Sequence, residues 1–306
     1  MKKILIFLFL MVMISVSSAQ TLYDGPMAVL LMKQDLDVFS TSRPDTVQIN
    51  SLKSESGFDL YKVVLHYPAA GTINLLLKGP QGFFNSSSLS FPSLLIVSGF
   101  FTGEQSVHLV GDFKDKIVVG FEYPYSVQNF MDEPVNVLQF MRKTPAQVAL
   151  TLKWLSQQSW VRSDRLSVMG VSLGGVFLPS SLHLSQSIGV RLEKAVYVCT
   201  GVDLRLILIE NLKSYVAEPF LSPLVDSLLI PTQLINPQLH LPYLKGSSLV
   251  IQTAQDTVIP LTSRQGLFNL LPNPKREVVI PGPHINPDQT EVIKKVQEVV
   301  IDDFKN

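Results

Sequence analysis

Short apolar runs recur along this chain, and helix-like stretches separate several of them. Two of the runs, LLIVSGF and KIVVGFE, stay apolar without alternating, which is typical of strands buried on both faces. Four more runs follow in the second half of the chain, namely RLSVMG, KAVYVCTG, SSLVIQTAQD and REVVIPG. Buried strands that alternate with helices predict an α/β fold, with a mostly parallel central sheet flanked by helices.

The start of the chain has the pattern of a segment that is removed from the mature protein. A basic pair precedes the apolar run Ile4–Val16, and Ser17–Ala19 supplies small residues for a signal peptidase. The run is too short to cross a bilayer, so we predict a signal peptide at 1–19 rather than a retained anchor. Residues 20–306 would then form a single secreted or periplasmic domain with no stable membrane anchor.

Composition narrows the classes of partner. The chain has 25 Lys and Arg against 25 Asp and Glu, and it has no basic run, so nothing favours nucleic acid or an anionic membrane surface. Cys199 is the single cysteine, which excludes an internal disulfide, and its apolar surroundings predict a small buried side chain. The sequence has no Cys/His cluster with metal-ligand spacing. We therefore expect no metal, no cofactor and no nucleic-acid partner.

One segment interrupts the alternation of strands and helices. Between Asp203 and Lys245 the sequence predicts no strand, and prolines divide the apolar stretches into short pieces. A long excursion at the carboxyl edge of a parallel sheet is where a cap over a binding site would lie. Residues 204–246 are therefore either such a cap or an irregular structural insertion.

Two capping boxes predict where helices begin. The first is TPAQ at Thr144–Gln147, which apolar residues at helical spacing follow. The second is DQTE at Asp288–Glu291, where Asp288 would cap the last helix of the chain.

The segment Gly170–Gly174, GVSLG, matches the pattern G-x-S-x-G and has an apolar run before it and a helix-like run after it. In this pattern the serine lies at the tip of a sharp strand-to-helix turn, where residues two before and two after it have no room for side chains. The N-terminus of the helix then favours negative charge close to the serine. Ser172 is therefore the candidate nucleophile, and Gly170 and Gly174 are the candidate elbow glycines.

A serine hydroxyl needs a base, and the base needs a third group to orient it. His284 has the best setting for the base, because it follows the strand REVVI in a loop of glycine and prolines. Asp256 ends SSLVIQTAQD and is the favoured acid, and Asp203, which follows YVCTGV, is the alternative. The other histidines are assigned to structural positions (His66, His183) or to a possible pocket lining (His108, His240).

Negative charge on the reacting oxygen also needs hydrogen-bond donors. The backbone N–H of Leu173, directly after the nucleophile, is one candidate. The second would come from the loop after LLIVS, where we favour Phe100 because an N–H one residue past a flexible glycine can turn inward. The aromatic side chains of this loop would then line the pocket.

Together, GVSLGG, QTAQDTVIP and PGPHINPD, in that order and with VSGF at the oxyanion position, resemble the α/β-hydrolase superfamily. The resemblance runs from about Tyr61 to the C-terminus, and many relatives have His-Gly where this chain has Ser98-Gly99. The resemblance implies a central sheet and a triad of Ser172, Asp256 and His284. It also implies a cap between the sixth and seventh core strands.

The leading hypothesis is a serine hydrolase, a carboxylesterase that cleaves a small-molecule ester through an acyl-enzyme. The predicted cap is rich in leucine and proline and has few charges, which favours an apolar acyl or alcohol group. Two alternatives remain, a serine peptidase of the same fold that acts on a peptide and a catalytically silent binding protein on the hydrolase scaffold. The silent protein would be expected to have lost the serine, the acid or the histidine.

Overall fold

The structure, a computed structural model, describes residues 24–36, 43–52, 54, 57–85, 89–99, 101–111, 113–125 and 136–305. The predicted signal peptide at 1–19 and the predicted oxyanion residue Phe100 lie outside the described residues. Among the helices that are described, none is long and apolar enough to span a membrane.

The strands, in chain order, are β1 (Thr46–Ser51), β2 (Phe58–Tyr67), β3 (Gly71–Pro80), β4 (Phe91–Val97), β5 (Ile117–Glu122), β6 (Val161–Val171), β7 (Lys194–Val198), β8 (Ser247–Thr253) and β9 (Lys275–Ile280). They form one sheet in the order β1-β2-β3-β5-β4-β6-β7-β8-β9. Strands β1, β2, β3 and β5 pair antiparallel with their neighbours in that order. The remaining pairings, from β5 through β4, β6, β7 and β8 to β9, are parallel. The mostly parallel sheet is as predicted.

The α-helices are α1 (Gly25–Leu36), α2 (Asn136–Ser156), α3 (Leu173–Ser187), α4 (Leu204–Leu212), α5 (Glu218–Leu229), α6 (Pro237–His240), α7 (Leu261–Leu270) and α8 (Thr290–Asp303). Short 3-10 helices cover Phe83–Asn85, Gly103–His108, Ile230–Ile235 and Leu241–Tyr243. Because the central strands are parallel, the loops that follow β4, β6, β7, β8 and β9 all leave the sheet at one edge.

The sheet separates two apolar cores. Successive residues of β4 alternate between them, so that Leu95 belongs to the larger core and Ile96 to the smaller one. The larger core lies under α2 and α3 and includes Trp154 and Trp160. The smaller core lies under the 3-10 helix Gly103–His108 and under α8.

The predicted helix start at Thr144 is wrong. Helix α2 spans Asn136–Ser156, so both Thr144 and Pro145 lie inside it. Phe140, one turn before the proline, is buried and packs edge-on against Phe177 with ring centroids 5.1 Å apart. This tertiary contact supports the additional turns in spite of the proline, and a local capping pattern contains no information about it.

The second capping box also fails. Helix α8 spans Thr290–Asp303, its N-cap is Gln289, and no side chain caps it. The backbone N–H of Gln289 instead donates to the carbonyl of Asn286 at 2.9 Å. This turn places Asp288 before the cap position, so the helix begins later than the sequence pattern predicts.

The long excursion between β7 and β8 is helical. As predicted, it contains no strand, and α4, α5, α6 and two 3-10 helices fill residues 204–246. Its second half packs onto α3, and Ile235, Leu241 and Leu244 belong to the larger core. This half of the excursion therefore contributes to the packed body of the protein.

Candidate active site

Ser172 occupies a strained turn between β6 and α3. Its backbone has φ 53° and ψ −116°, a conformation that non-glycine residues rarely adopt. The backbone N–H of Ser172 donates to the carbonyl of Val198 at 2.9 Å, and its own carbonyl accepts from Gly175 at 3.0 Å. These hydrogen bonds hold the serine at the carboxyl edge of the sheet with its hydroxyl at the tip of the turn.

The glycines around Ser172 are required by close backbone contacts. A Cβ atom at Gly174 would lie 1.8 Å from the carbonyl oxygen of Val97, and one at Gly170 would lie 2.8 Å from the Cα of Gly175. Neither neighbour is the flexible end of a side chain, so neither can move away cheaply. The elbow that the sequence pattern predicts therefore has its physical reason in these two contacts.

Three side chains from distant parts of the chain form one line of hydrogen bonds. The Oγ of Ser172 lies 2.9 Å from Nε2 of His284, and Nδ1 of His284 lies 2.8 Å from Oδ2 of Asp256. A carboxylate can only accept, so the imidazole donates through Nδ1 and its Nε2 is left to accept from the serine hydroxyl. The line has the order and tautomer that a serine nucleophile needs for proton transfer.

Asp256 is held ionised by its hydrogen bonds. Its Oδ1 accepts from the backbone N–H groups of Val258 and Ile259, each at 2.9 Å. Burial by itself would raise the pKa of Asp256, but the hydrogen bonds from His284 and from these two N–H groups outweigh it and lower the pKa. The carboxylate therefore stays negative beside the imidazole at neutral pH.

Asp203, the alternative acid, is used elsewhere. Its side chain accepts from the backbone N–H of Leu206 at 3.0 Å and caps helix α4. The structure places Asp256, and not Asp203, against the imidazole of His284.

The other structural elements of the site are the candidate oxyanion donors. Leu173 is the first residue of α3, where backbone N–H groups have no partner within the helix. On the facing loop, the carbonyl of Gly99 accepts from Thr102 at 3.0 Å and from Gly103 at 3.3 Å. Phe100, the predicted second donor, lies outside the described residues, so its assignment stays a prediction.

No protein-family model matches this chain, and no curated protein matches it significantly. Solved structures do match. An acetyl xylan esterase from Paenibacillus sp. R4 superposes with a TM-score of 0.63 at 17% identity, over 89% of this chain and 93% of that one. Acetyl xylan esterase 1 from Thermoanaerobacterium sp. JW/SL YS485 superposes with a TM-score of 0.61 at 14% identity, over 88% of this chain and 92% of that one. A putative dipeptidyl aminopeptidase IV from Bacteroides ovatus gives a TM-score of 0.52 at 13% identity, over 83% of this chain but 35% of that one.

The chain has the α/β-hydrolase fold. This confirms the fold that the order of GVSLGG, QTAQDTVIP and PGPHINPD implies. The three motifs lie at the carboxyl ends of β6, β8 and β9, and these strand ends are at the edge of the sheet where Ser172 lies.

A cavity of about 330 Å³ opens beside Ser172 and His284. It extends along the smaller-core face of the sheet, between the 3-10 helix Gly103–His108 and α8. Its apolar lining includes Ile96, Leu109, Val110, Met169, Val171, Leu173, Ile285, Pro287, Ile293, Val296 and Val300. Phe101, as predicted for this loop, lies at the cavity but is exposed.

The predicted cap does not cover this cavity. Of the described residues that line it, none belongs to 204–246. The segment is linked to the loop that carries Asp256 by a hydrogen bond at 2.8 Å from Nδ2 of Asn211 to the carbonyl of Val258. The packing of the second half of the segment into the larger core agrees with the alternative of a structural insertion.

Two other histidines also differ from expectation. The lining of the cavity includes neither His108 nor His240. His240 is fully buried, and its Nδ1 lies 3.2 Å from Nδ1 of His183 on α3. His108 is exposed, and His66, as predicted, lies in a strand away from the site.

Two hydrogen bonds that the sequence analysis did not predict hold the loops of the site. The hydroxyl of Tyr123, directly after β5, donates to the carbonyl of Ser98 at 2.6 Å and fixes the loop before Phe100. The backbone N–H of Gly282 donates to Oε1 of Gln255 at 2.5 Å, which ties the loop of His284 to the loop of Asp256. Tyr123, Gln255 and Gly282 each follow a strand closely in the sequence. Each hydrogen bond, however, joins loops that follow two different strands, so the local sequence does not indicate the partner.

The site has no second nucleophile and no metal centre among the described residues. Cys199 is buried, as predicted, and burial raises the pKa of its thiol to about 11. Within the described ranges, no group of His, Cys, Asp and Glu is arranged to hold a metal ion.

Proposed function

We propose that this chain is a serine hydrolase, a carboxylesterase that cleaves its ester through an acyl-enzyme. The observation that carries the proposal is the line of hydrogen bonds from Ser172 through His284 to Asp256, with separations of 2.9 and 2.8 Å. The strained backbone of Ser172 supports it, since strain of this kind persists where the surrounding structure requires it.

Each group has one role in the proposed reaction. The Oγ of Ser172 attacks the ester carbonyl carbon while Nε2 of His284 takes the hydroxyl proton, and Asp256 stabilises the imidazolium that forms. The backbone N–H groups of Leu173 and Phe100 donate to the oxygen that becomes negative. His284 then gives its proton to the departing alcohol, and a water molecule repeats the sequence to release the acid.

The cavity supports an ester over a peptide. Within the part of the chain that the structure describes, its lining includes no Asp, Glu, Lys or Arg that could bind a charged peptide end. The peptidase similarity to the Bacteroides ovatus protein spans about a third of that chain. The predicted signal peptide is the basis for proposing a location outside the cytoplasm, in the periplasm or the medium.

A fluorophosphonate probe tests the proposal, because it reacts with an activated serine and forms a stable adduct. We expect the wild-type protein to be labelled at Ser172, and Ser172→Ala to lose both the label and at least roughly 10⁴-fold in kcat on a nitrophenyl ester. Ser187→Ala is the matched control, since this serine lies at the other end of the same helix and its hydroxyl donates to the carbonyl of Leu184 at 2.7 Å. A folded wild-type protein that takes no label would support the silent binding protein instead.

A further inference from the structure

We propose, on the basis of the hydrolase function proposed above, that the cavity beside Ser172 binds the acyl chain of the substrate, and that this chain is an unbranched aliphatic chain of medium length. The cavity measures about 330 Å³. A methylene group and a water molecule occupy similar volumes of roughly 30 Å³, so a volume of about 330 Å³ holds at most about eleven such groups. Because a chain does not fill a cavity completely, we expect a chain of roughly six to ten carbons. An acetyl group would leave most of it empty.

The chemistry of the walls selects an apolar occupant. At the inner end, Met169, Val296 and Val300 are at most 5% exposed and present only aliphatic and thioether groups. Among the lining residues that the structure describes, His284 is the only one with an acidic or basic side chain, and its Nε2 lies 2.9 Å from the Oγ of Ser172. A charged or strongly hydrated group would therefore lose its water at the inner end without gaining a partner.

The cavity exists because two elements of unequal size cover this face of the sheet. The 3-10 helix Gly103–His108 is six residues long, whereas α8 has fourteen. Between them, Nε2 of Gln297 on α8 donates to the carbonyl of Leu109 at 2.5 Å, which joins the two walls. Beyond this contact, the lining residues Met169, Val296 and Val300 are at most 5% exposed, so buried side chains form the inner wall of the cavity.

A cavity whose inner wall consists of buried side chains suits the acyl group better than the alcohol. The acyl group stays bonded to Ser172 until water releases it, whereas the alcohol must leave as soon as His284 has protonated it. An alcohol chain held at the buried end would have to withdraw past the acyl-enzyme. The acyl chain can stay in place through both steps.

Chain-length dependence provides the first test. We expect kcat/KM on nitrophenyl esters to rise from acetate to octanoate by about fourfold per methylene, the factor that one buried methylene contributes, and to fall beyond decanoate. A maximum at acetate would overturn the proposal. A pair of isomers separates the two ends of the ester, because octyl acetate and ethyl octanoate have the same composition. Faster hydrolysis of ethyl octanoate is expected, and a preference for octyl acetate would place the chain on the alcohol side.

Variants of α8 provide the second test. Ile293 lines the cavity, whereas Ile301 lies on the same helix, is also half-buried and is outside the lining. We expect Ile293→Phe to lower the octanoate-to-acetate ratio of kcat/KM at least tenfold, and Ile301→Phe to keep the wild-type ratio. Ile293→Ala, which enlarges the cavity, should move the optimum to a longer chain and covers the case in which the phenylalanine variant does not fold.

The outcomes separate this proposal from the proposed function. If Ser172 takes the fluorophosphonate label and short esters are hydrolysed, but Ile293→Phe and Ile301→Phe give the same ratio, the acyl site is wrong and the hydrolase stands. If Ser172 takes no label and no ester is hydrolysed, the hydrolase function itself is wrong.

Discussion

The two faces of the sheet are covered in different ways. On the larger-core face, α2 and α3 pack against the strands, and aromatic rings such as Trp154 and Trp160 contact each other at 5.9 Å between centroids. On the smaller-core face, a short 3-10 helix and α8 leave a cavity of about 330 Å³. Both faces belong to one sheet, and the same strands contribute side chains to each.

The two faces therefore have different roles, one in stability and the other in substrate binding. Close packing on the larger-core face supplies stability, because every filled contact contributes dispersion and removes apolar surface from water. The smaller-core face is less completely packed, and its cavity opens beside Ser172. Ser172, His284 and Asp256 lie at the edge where the faces meet, so the chemistry can be changed there without disturbing either core.

The largest expected effect concerns the hydrogen bond between Asp256 and His284 at this edge of the sheet. Asp256→Asn should lower kcat by about 10⁴-fold, because an amide can neither hold the imidazole in the required tautomer nor stabilise its positive charge. The free energy of unfolding should change far less, because the asparagine oxygen can still accept from Val258 and Ile259. Steady-state kinetics on a nitrophenyl ester, with urea unfolding on the same samples, measure both.

Asp203→Asn is the matched control for this prediction. Asparagine caps a helix as well as aspartate does, so α4 should stay capped and kcat should remain within about twofold of the wild type. A large loss at Asp203 together with an active Asp256 variant would move the acid to Asp203 and contradict the observed hydrogen bond.

The next effect tests how completely the larger-core face excludes water. His240 is fully buried beside His183, with its Nε2 2.7 Å from the carbonyl of Leu234. Burial lowers the pKa of His240 from 6.5 to about 4, and the nearby His183 adds to this. The unfolded chain therefore binds the proton first as the pH falls, and the folded state loses about 3 kcal/mol between pH 6.5 and 4 from this group.

Urea unfolding of the wild type and of His240→Gln from pH 7.5 to 4 measures that loss. Glutamine can still donate to the carbonyl of Leu234 but does not titrate, so its stability should fall less steeply over this range. The exposed histidine variant His66→Gln is the control and should follow the wild-type slope. Equal slopes for all three proteins would mean that water reaches His240 on the packed face.

Local patterns in the sequence predict the elements whose causes are local. The elbow at Ser172 follows from glycines within two residues of it, and the strand-end positions of Asp256 and His284 follow from apolar runs that stop just before them. Parallel strands bring those ends to one edge of the sheet, so the site could be inferred without knowing the packing.

Features that depend on contacts between distant segments could not be inferred in this way. The start of α2 depends on Phe140 packing against Phe177, and the capping pattern at Thr144 has no information about that contact. The contact of Tyr123 with Ser98 joins residues that come directly after two neighbouring strands. The cavity depends on the mismatch between a 3-10 helix and α8, which are almost two hundred residues apart in the sequence, so its position at Ser172 is a property of the assembled face.

The smallest effect compares the two faces directly through one pair of valines. Val148 on α2 and Val300 on α8 are both fully buried, but Val300 borders the cavity and Val148 belongs to the larger core. Val148→Ala should cost about 2 kcal/mol of unfolding free energy, since it opens a new void in a filled core. Val300→Ala should cost about 1 kcal/mol of unfolding free energy, because a side chain beside empty space has fewer contacts to lose.

The two variants should also differ in substrate preference. Val300→Ala should raise kcat/KM for chains longer than octanoate relative to octanoate, whereas Val148→Ala should keep the wild-type chain-length profile. Equal losses of stability from the two variants would mean that the smaller-core face is as tightly packed as the other, and the acyl site would then lose its physical basis.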